Sequence, residues 1–145
     1  MVKAYFDTNV IIAGFAESHI HHDRAFETLV GLYDGNISGV VLAHGLSEMY
    51  SVLTRTPFRP RVSPNEAWQI LSGEVMSGFE IVHLETDQHV ATIRKCAEQG
   101  LTGGRVFDAL HLQAARKAQC ERIYTFDVRH FRELAPDLAG IIVTP

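Results

Sequence analysis

What most constrains this chain is a repeated alternation between short apolar runs and stretches of helical period. Residues 2–6, 37–42, 79–83, 122–126 and 140–143 read as strands. Helical patterns fill the intervals, over 21–33, 44–55, 63–77, 86–100, 105–118 and 128–134. Local signals agree with this division. Ser63 can cap a helix, Pro64 suits its first position, Glu66 completes a capping box, and Gly78 stops it. Thr86 caps the next helix, Gly103-Gly104 forms a joint, and Pro57 and Pro60 break the helix that begins near His44. A chain that returns to a strand after each helical segment builds a mainly parallel sheet with helices on both faces. The expectation is an α/β, three-layer sandwich with four or five strands.

At 145 residues the chain has the length of one domain, and its 46% hydrophobic content is that of a globular protein, not a disordered one. No apolar run approaches the roughly 20 residues of a membrane span. The first Asp, at position 7, falls inside what would be the apolar core of a leader, so a cytoplasmic protein is expected. Cys96 and Cys120 form no metal-binding spacing and read as reduced thiols. Seventeen acidic against 13 basic residues, a net charge of −4, argue against strong sequence-blind binding to nucleic acid.

Four carboxylates occupy unusual places. Asp7 and Asp127 directly follow the first and fourth strand patterns, and ligands of open parallel sheets bind beyond the carboxyl ends of strands. Each alone could be an ordinary cap or turn residue. Asp108 projects into an apolar arc formed by Phe107, His111, Leu112, Ala114 and Ala115, where a carboxylate is costly unless paired, protonated or bound to metal. Glu48 sits at the border of the apolar face of its helix, beside Val52. If the four converge, like charges about 5 Å apart repel by roughly 3 kcal/mol per pair, and a divalent cation is the natural counter-charge. Oxygen-only ligands favour Mg²⁺ or Mn²⁺ over Zn²⁺.

Phe6-Asp7-Thr8-Asn9, Ser47-Glu48, Phe107-Asp108-Ala109-Leu110-His111 and Thr125-Phe126-Asp127-Val128-Arg129-His130-Phe131 together resemble the PIN-domain family, above all the VapC-type toxin ribonucleases of toxin–antitoxin pairs. The resemblance spans essentially the whole chain. It implies strand order 3-2-1-4-5 and a homodimeric, Mg²⁺- or Mn²⁺-dependent endoribonuclease silenced by a cognate antitoxin. It matches Asp7, Glu48, Asp108 and Asp127 to the family's acidic quartet, and Asn9 and Thr125 to supporting polar positions. Leu112 stands where some members carry a further acid. Asp7 and Asp108 are expected to hold the metal most directly, with Glu48 and Asp127 orienting water or completing a second site; one ion or two are both compatible.

Cations for RNA are sought in Arg55, Arg59 and Arg61, which surround Phe58 in a Pro-rich loop, and in Arg105, Arg129 and His130 near the later acids. Arg105 could equally pair with Asp108. His19, His21 and His22 read as helix-start and packing residues, and His111 as a core histidine bonded to backbone. Rival classes lack their residues. A haloacid dehalogenase-type phosphatase needs Asp where Asn9 stands, a receiver domain needs a well-placed Lys, and no Gly-rich phosphate loop is present. The non-enzyme alternative is a silent domain of the same fold acting as a protein- or RNA-binding scaffold.

Overall fold

A computed structural model describes residues 1–145. Its five strands form one sheet: β1 (Val2–Phe6), β2 (Ile37–Leu42), β3 (Phe79–Val82), β4 (Arg122–Tyr124) and β5 (Ile142–Val143), ordered β3-β2-β1-β4-β5. Every pairing is parallel, with Tyr5 opposite Val40 on one side and Ile123 on the other. The central position of β1 explains its burial: Ala4, Tyr5 and Phe6 are all inaccessible. Successive side chains of a strand point to opposite faces. Phe6 therefore enters one core with the helices α1 (Thr8–Phe15), α2 (His22–Tyr33), α3 (Ala43–Arg55) and α4 (Pro64–Ile70). Tyr5 enters the other, with α7 (Arg105–Lys117) and α8 (Val128–Leu134). The helix α6 (Thr86–Glu98) packs on α7.

Four local readings need correction. The sequence pattern left 8–15 unassigned, and the structure makes it α1. A Val10-Ile11-Ile12 run has poor helix propensity, but burial of nearly the whole helix overrides it. The segment after Ser63 is not one regular helix. It has the expected capping box between Ser63 and Glu66, but passes from α4 through a π-helical turn, Leu71–Val75, into the short α5 (Met76–Gly78). Glu85, not Thr86, is the N-cap position of α6, and its N–H donates to Gln88 Oε1 at 2.8 Å. The strands β3, β4 and β5 are shorter than their apolar runs. The free thiols are Cys96, buried, and Cys120, half-buried.

Candidate active site

The chain buries four polar side chains, Asp7, Thr8, His111 and Thr125, and all four meet at the carboxyl edge of the sheet. Buried polar groups persist where they are bonded to one another, and the bonds here are specific. Asp7 stands at the start of α1 yet caps nothing; its Oδ2 instead accepts the Thr125 hydroxyl at 2.8 Å. The Asp7 N–H donates to the Tyr124 carbonyl at 2.9 Å, and Asp127 N–H donates to Thr125 Oγ1 at 3.0 Å. Thr125 therefore fastens the ends of β1 and β4 together and holds Asp7 beside Asp127. Asp127 also makes no cap bond; its Oδ1 lies 2.6 Å from His130 Nδ1.

Glu48 arrives from the opposite layer. Gly45 allows this approach, because a Cβ there would sit 3.0 Å from the Thr8 methyl and 3.6 Å from the His111 ring. His111 Nε2–H donates to Glu48 Oε2 at 3.3 Å, and Thr8 Oγ1 adds a long bond of 3.5 Å to the same oxygen. In the neutral imidazole, Nδ1 then accepts the Tyr5 hydroxyl, whose oxygen receives Leu42 N–H at 3.3 Å. His111 is a core histidine, as read from sequence, but its partners are the Tyr5 and Glu48 side chains, not backbone. Glu48 Oε1 is 3.2 Å from the same His111 nitrogen but out of line with its N–H, and it is buried without a hydrogen-bond partner.

The electrostatics are those of an under-compensated acid cluster. Burial raises the carboxyl of Asp7 above the usual range, against the pull of His111 and Thr125. Burial, then the charges of Asp7 and Asp127, lifts Asp108 to about 6, opposed by His111 and Arg105. Burial would also raise Glu48, but the His111 bond and charge, helped by His44, hold it below its ordinary value. His111 is raised in turn by Glu48, Asp7 and Asp108, against the cost of burying its charge. The structure puts Asp7, Glu48, Asp108 and Asp127 at one edge of the sheet, and adds Tyr5 and Thr8, which the sequence pattern did not single out, as their supports. The signal for Thr8 was its position directly after Asp7.

No three His, Cys, Asp or Glu side chains converge tightly enough to encircle one ion directly. An ion held here would keep most of its waters, as Mg²⁺ does when bound through one or two carboxylates. Glu48 Oε1, which accepts no hydrogen bond but lies 3.2 Å from His111 Nε2 and 3.5 Å from His44 Nε2, and the carboxylates of Asp7 and Asp108 are the oxygens that would hold such an ion, whose charge would offset their burial.

The cationic positions are scattered by comparison. Arg55, Arg59 and Arg61 are exposed, and the latter two line a groove of about 240 Å³ with Phe15, Phe58 and Ile70. Phe58 is half-buried and packs one side against the core, as Phe126 does. Arg61 donates to the Thr54 carbonyl at 3.3 Å. Arg105 faces Glu133 at 3.9 Å instead of bonding Asp108, and Arg129 shares Glu133 at 3.3 Å. Asn9 is exposed in the first turn of α1. His22 bonds the Ala13 carbonyl, while His21 stacks on Phe126. Phe107 is not part of the apolar arc around Asp108: it is 45% exposed, unlike Leu112, Ala114 and Ala115.

A five-stranded parallel sheet in this order, with helices on both faces and carboxylates at its carboxyl edge, defines a three-layer α/β protein built around an acidic site. The chain belongs to the PIN-domain family, whose profile matches residues 4–136. Among curated relatives, Ribonuclease VapC40 of Mycobacterium tuberculosis is 32% identical over 123 residues, 85% of each chain. Ribonuclease VapC27 of the same organism is 32% identical over 85% of this chain and 83% of its own. Among solved structures, VapC20 of M. tuberculosis, described as a Sarcin-Ricin loop cleaving toxin, superposes with a TM-score of 0.67 at 18% identity, covering 98% of this chain and 99% of that one. VapBC2 from Rickettsia felis, bound to a DNA fragment from their promoter, gives 0.63 at 14% identity over 99% and 98%.

Proposed function

We infer that this chain is an endoribonuclease, the toxin of a toxin–antitoxin pair, and that it depends on Mg²⁺ with Mn²⁺ as substitute. The observation that carries the reading is the placement of Asp7, Asp108, Asp127 and Glu48 at the carboxyl edge of a PIN-type sheet, where burial and neighbouring carboxylates raise Asp7 and Asp108. Asp7 and Asp108 are the principal metal-holding groups. The free oxygen of Glu48 and the outer carboxylate of Asp127 orient water or complete the coordination sphere. Such an ion, when bound, makes water nucleophilic near neutral pH and neutralises charge on the phosphate.

The chain's own groups have separable tasks. His111 fixes the Glu48 carboxylate in one orientation, and Tyr5 fixes His111. Thr125 holds Asp7 by donating its hydroxyl to Oδ2, which leaves Oδ1 unbonded to it. The surface cations Arg55, Arg59 and Arg61 attract the RNA backbone from outside the acidic site. A cognate antitoxin and a homodimer are part of the same proposal. An antitoxin Arg would find its complement in the acids, and the exposed apolar side chains of Trp68 and Met76 are available to a partner. No helix is long and apolar enough to cross a membrane, and a cytoplasmic site of action fits an RNA substrate.

The test is cleavage of total RNA by the isolated protein. Cutting should require Mg²⁺ or Mn²⁺, stop in chelator, and fall at least about 100-fold in Asp7→Asn, the scale on which removing one charge-stabilising group acts. Full-rate cutting in chelator, or by the variant, would overturn the reading. A scaffold protein would show neither cutting nor specific binding of Mn²⁺ by calorimetry.

A further inference from the structure

Phe107 and Phe126 each directly precede an acid of the site, and each lies against a histidine. The His44 and Phe107 rings are nearly parallel, 13° apart with centroids at 5.3 Å. Those of His21 and Phe126 are 24° apart at 4.5 Å, with His19 joining the same cluster. Neither pair is closed off. Phe107 is 45% exposed and the His44 side chain 43%, while His21 and Phe126 are half-buried. Phe107 thus keeps a ring face open to solvent directly beside Asp108.

The topology places the pairs on either side of Asp7. His44 is the second residue of α3, directly beyond β2; Phe126 lies just beyond β4; Asp7 follows β1, which runs between them. Two strand spacings separate β2 from β4, about 10 Å. Neighbouring bases along a helical strand step by roughly 3.4 Å. Bases seated on both pairs would therefore be drawn apart, with the intervening phosphate over the acids.

We propose that the His44–Phe107 and His21–Phe126 stacks are base-stacking subsites that hold the unpaired nucleotides flanking the scissile phosphodiester. The proposal rests on the nuclease reading above and deepens it. The substrate form this arrangement fits is single-stranded or looped RNA with splayed bases, and regular duplex, whose bases are already stacked, fits it poorly. Stacking on aromatic faces is indifferent to base identity, so these pairs select for unstacked geometry more than for sequence. Phe107 and Phe126 are positioning residues: they place the phosphate and take no part in proton or metal chemistry.

The experiment uses a short single-stranded RNA spanning a cut site mapped in total RNA. Phe107→Leu and Phe126→Leu retain apolar bulk but lose the ring. Each should raise KM about 10-fold, within the range known for base–aromatic stacking, and leave kcat nearly unchanged. Phe107→Tyr and Phe126→Tyr should restore KM. Removing the flanking base from the substrate should cost the wild type a similar factor and the matching Leu variant little more. A fluorescent adenine analogue beside the cut site should be quenched on binding Asp7→Asn, and less so when the Leu change is added. Phe107 is exposed enough that its variant carries the test even if Phe126→Leu fails to fold. Wild-type KM in the Leu variants, a loss confined to kcat, or equal cutting of a duplex of the same sequence would overturn the proposal. So would intact cleavage with lost antitoxin binding, which would make the stacks a protein contact. If the wild type cuts no RNA in Mg²⁺ or Mn²⁺, the nuclease reading itself fails, a result distinct from these.

Discussion

The Asp108 carboxyl ionises near pH 6 because of burial first and the neighbouring Asp7 and Asp127 charges second. In the unfolded chain it would ionise near 3.8. Between these values the folded protein binds more protons, so this group makes stability fall as pH rises, with the full penalty reached above about 6. Asp108→Asn removes the penalty. In chelator at pH 7.5, above the whole window, the variant should melt higher than the wild type. Discounted for the solvent that reaches the group, the gain is about 1 kcal/mol, or roughly 3 °C. At pH 4 the two should melt together, and the variant should cut RNA poorly at any pH. Equal melting at both pH values would show that Asp108 is not under-compensated. The positions of Asp7, Glu48, Asp108 and Asp127 could be read from sequence because strand ends and helix faces follow from local periodicity. The bonds of Tyr5, Thr8 and His111 could not. They join residues up to 106 positions apart and depend on how two layers meet. Phe107 misled for the same reason, since periodicity assigns a face but not what covers it.

Glycine positions separate elements that are packed tightly from elements that are not. A Cβ on Gly39 in β2 would lie 2.7 Å from two ring atoms of Phe79 and 2.8 Å from Leu32. Gly39→Ala should therefore cost about 2–3 kcal/mol by overpacking. Gly73, in the π-helical turn, has nothing within 4 Å of such a Cβ. Gly73→Ala should be neutral or stabilise by up to about 1 kcal/mol through the unfolded state. Urea denaturation of the pair checks both signs; a stable Gly39→Ala would mean the β2–β3 face can relax. The contrast also shows which elements were legible. The β2 and β3 runs are β-branched and flanked by breakers, so they are visible locally. The π-helical turn has no local signature in Leu71-Ser72-Gly73-Glu74-Val75, and α1 goes against its own propensities because the sheet buries it on nearly every side.

At the scale of the whole molecule, the net charge of −4 is unevenly spread. Setting aside the four site acids leaves the remainder neutral, and the cations nearest the Pro-rich loop are only Arg55, Arg59 and Arg61. An enzyme with so few phosphate contacts should bind RNA with weak salt dependence. Each neutralised phosphate of a single strand contributes about −0.7 to the slope of log affinity against log salt. Three arginines therefore predict a slope near −2, measured with the inactive Asp7→Asn protein and single-stranded RNA. Replacing all three by Ala should flatten the slope to near zero while leaving the fold intact, since each is exposed. A slope steeper than about −4 would place the RNA along cations elsewhere, and an unchanged slope in the triple variant would remove this loop from the RNA path. The acidic balance that argues against tight, sequence-blind binding is thus compatible with a nuclease. A small number of arginines bring the backbone in, and the metal-binding acids and open aromatic rings at the sheet edge do the selecting.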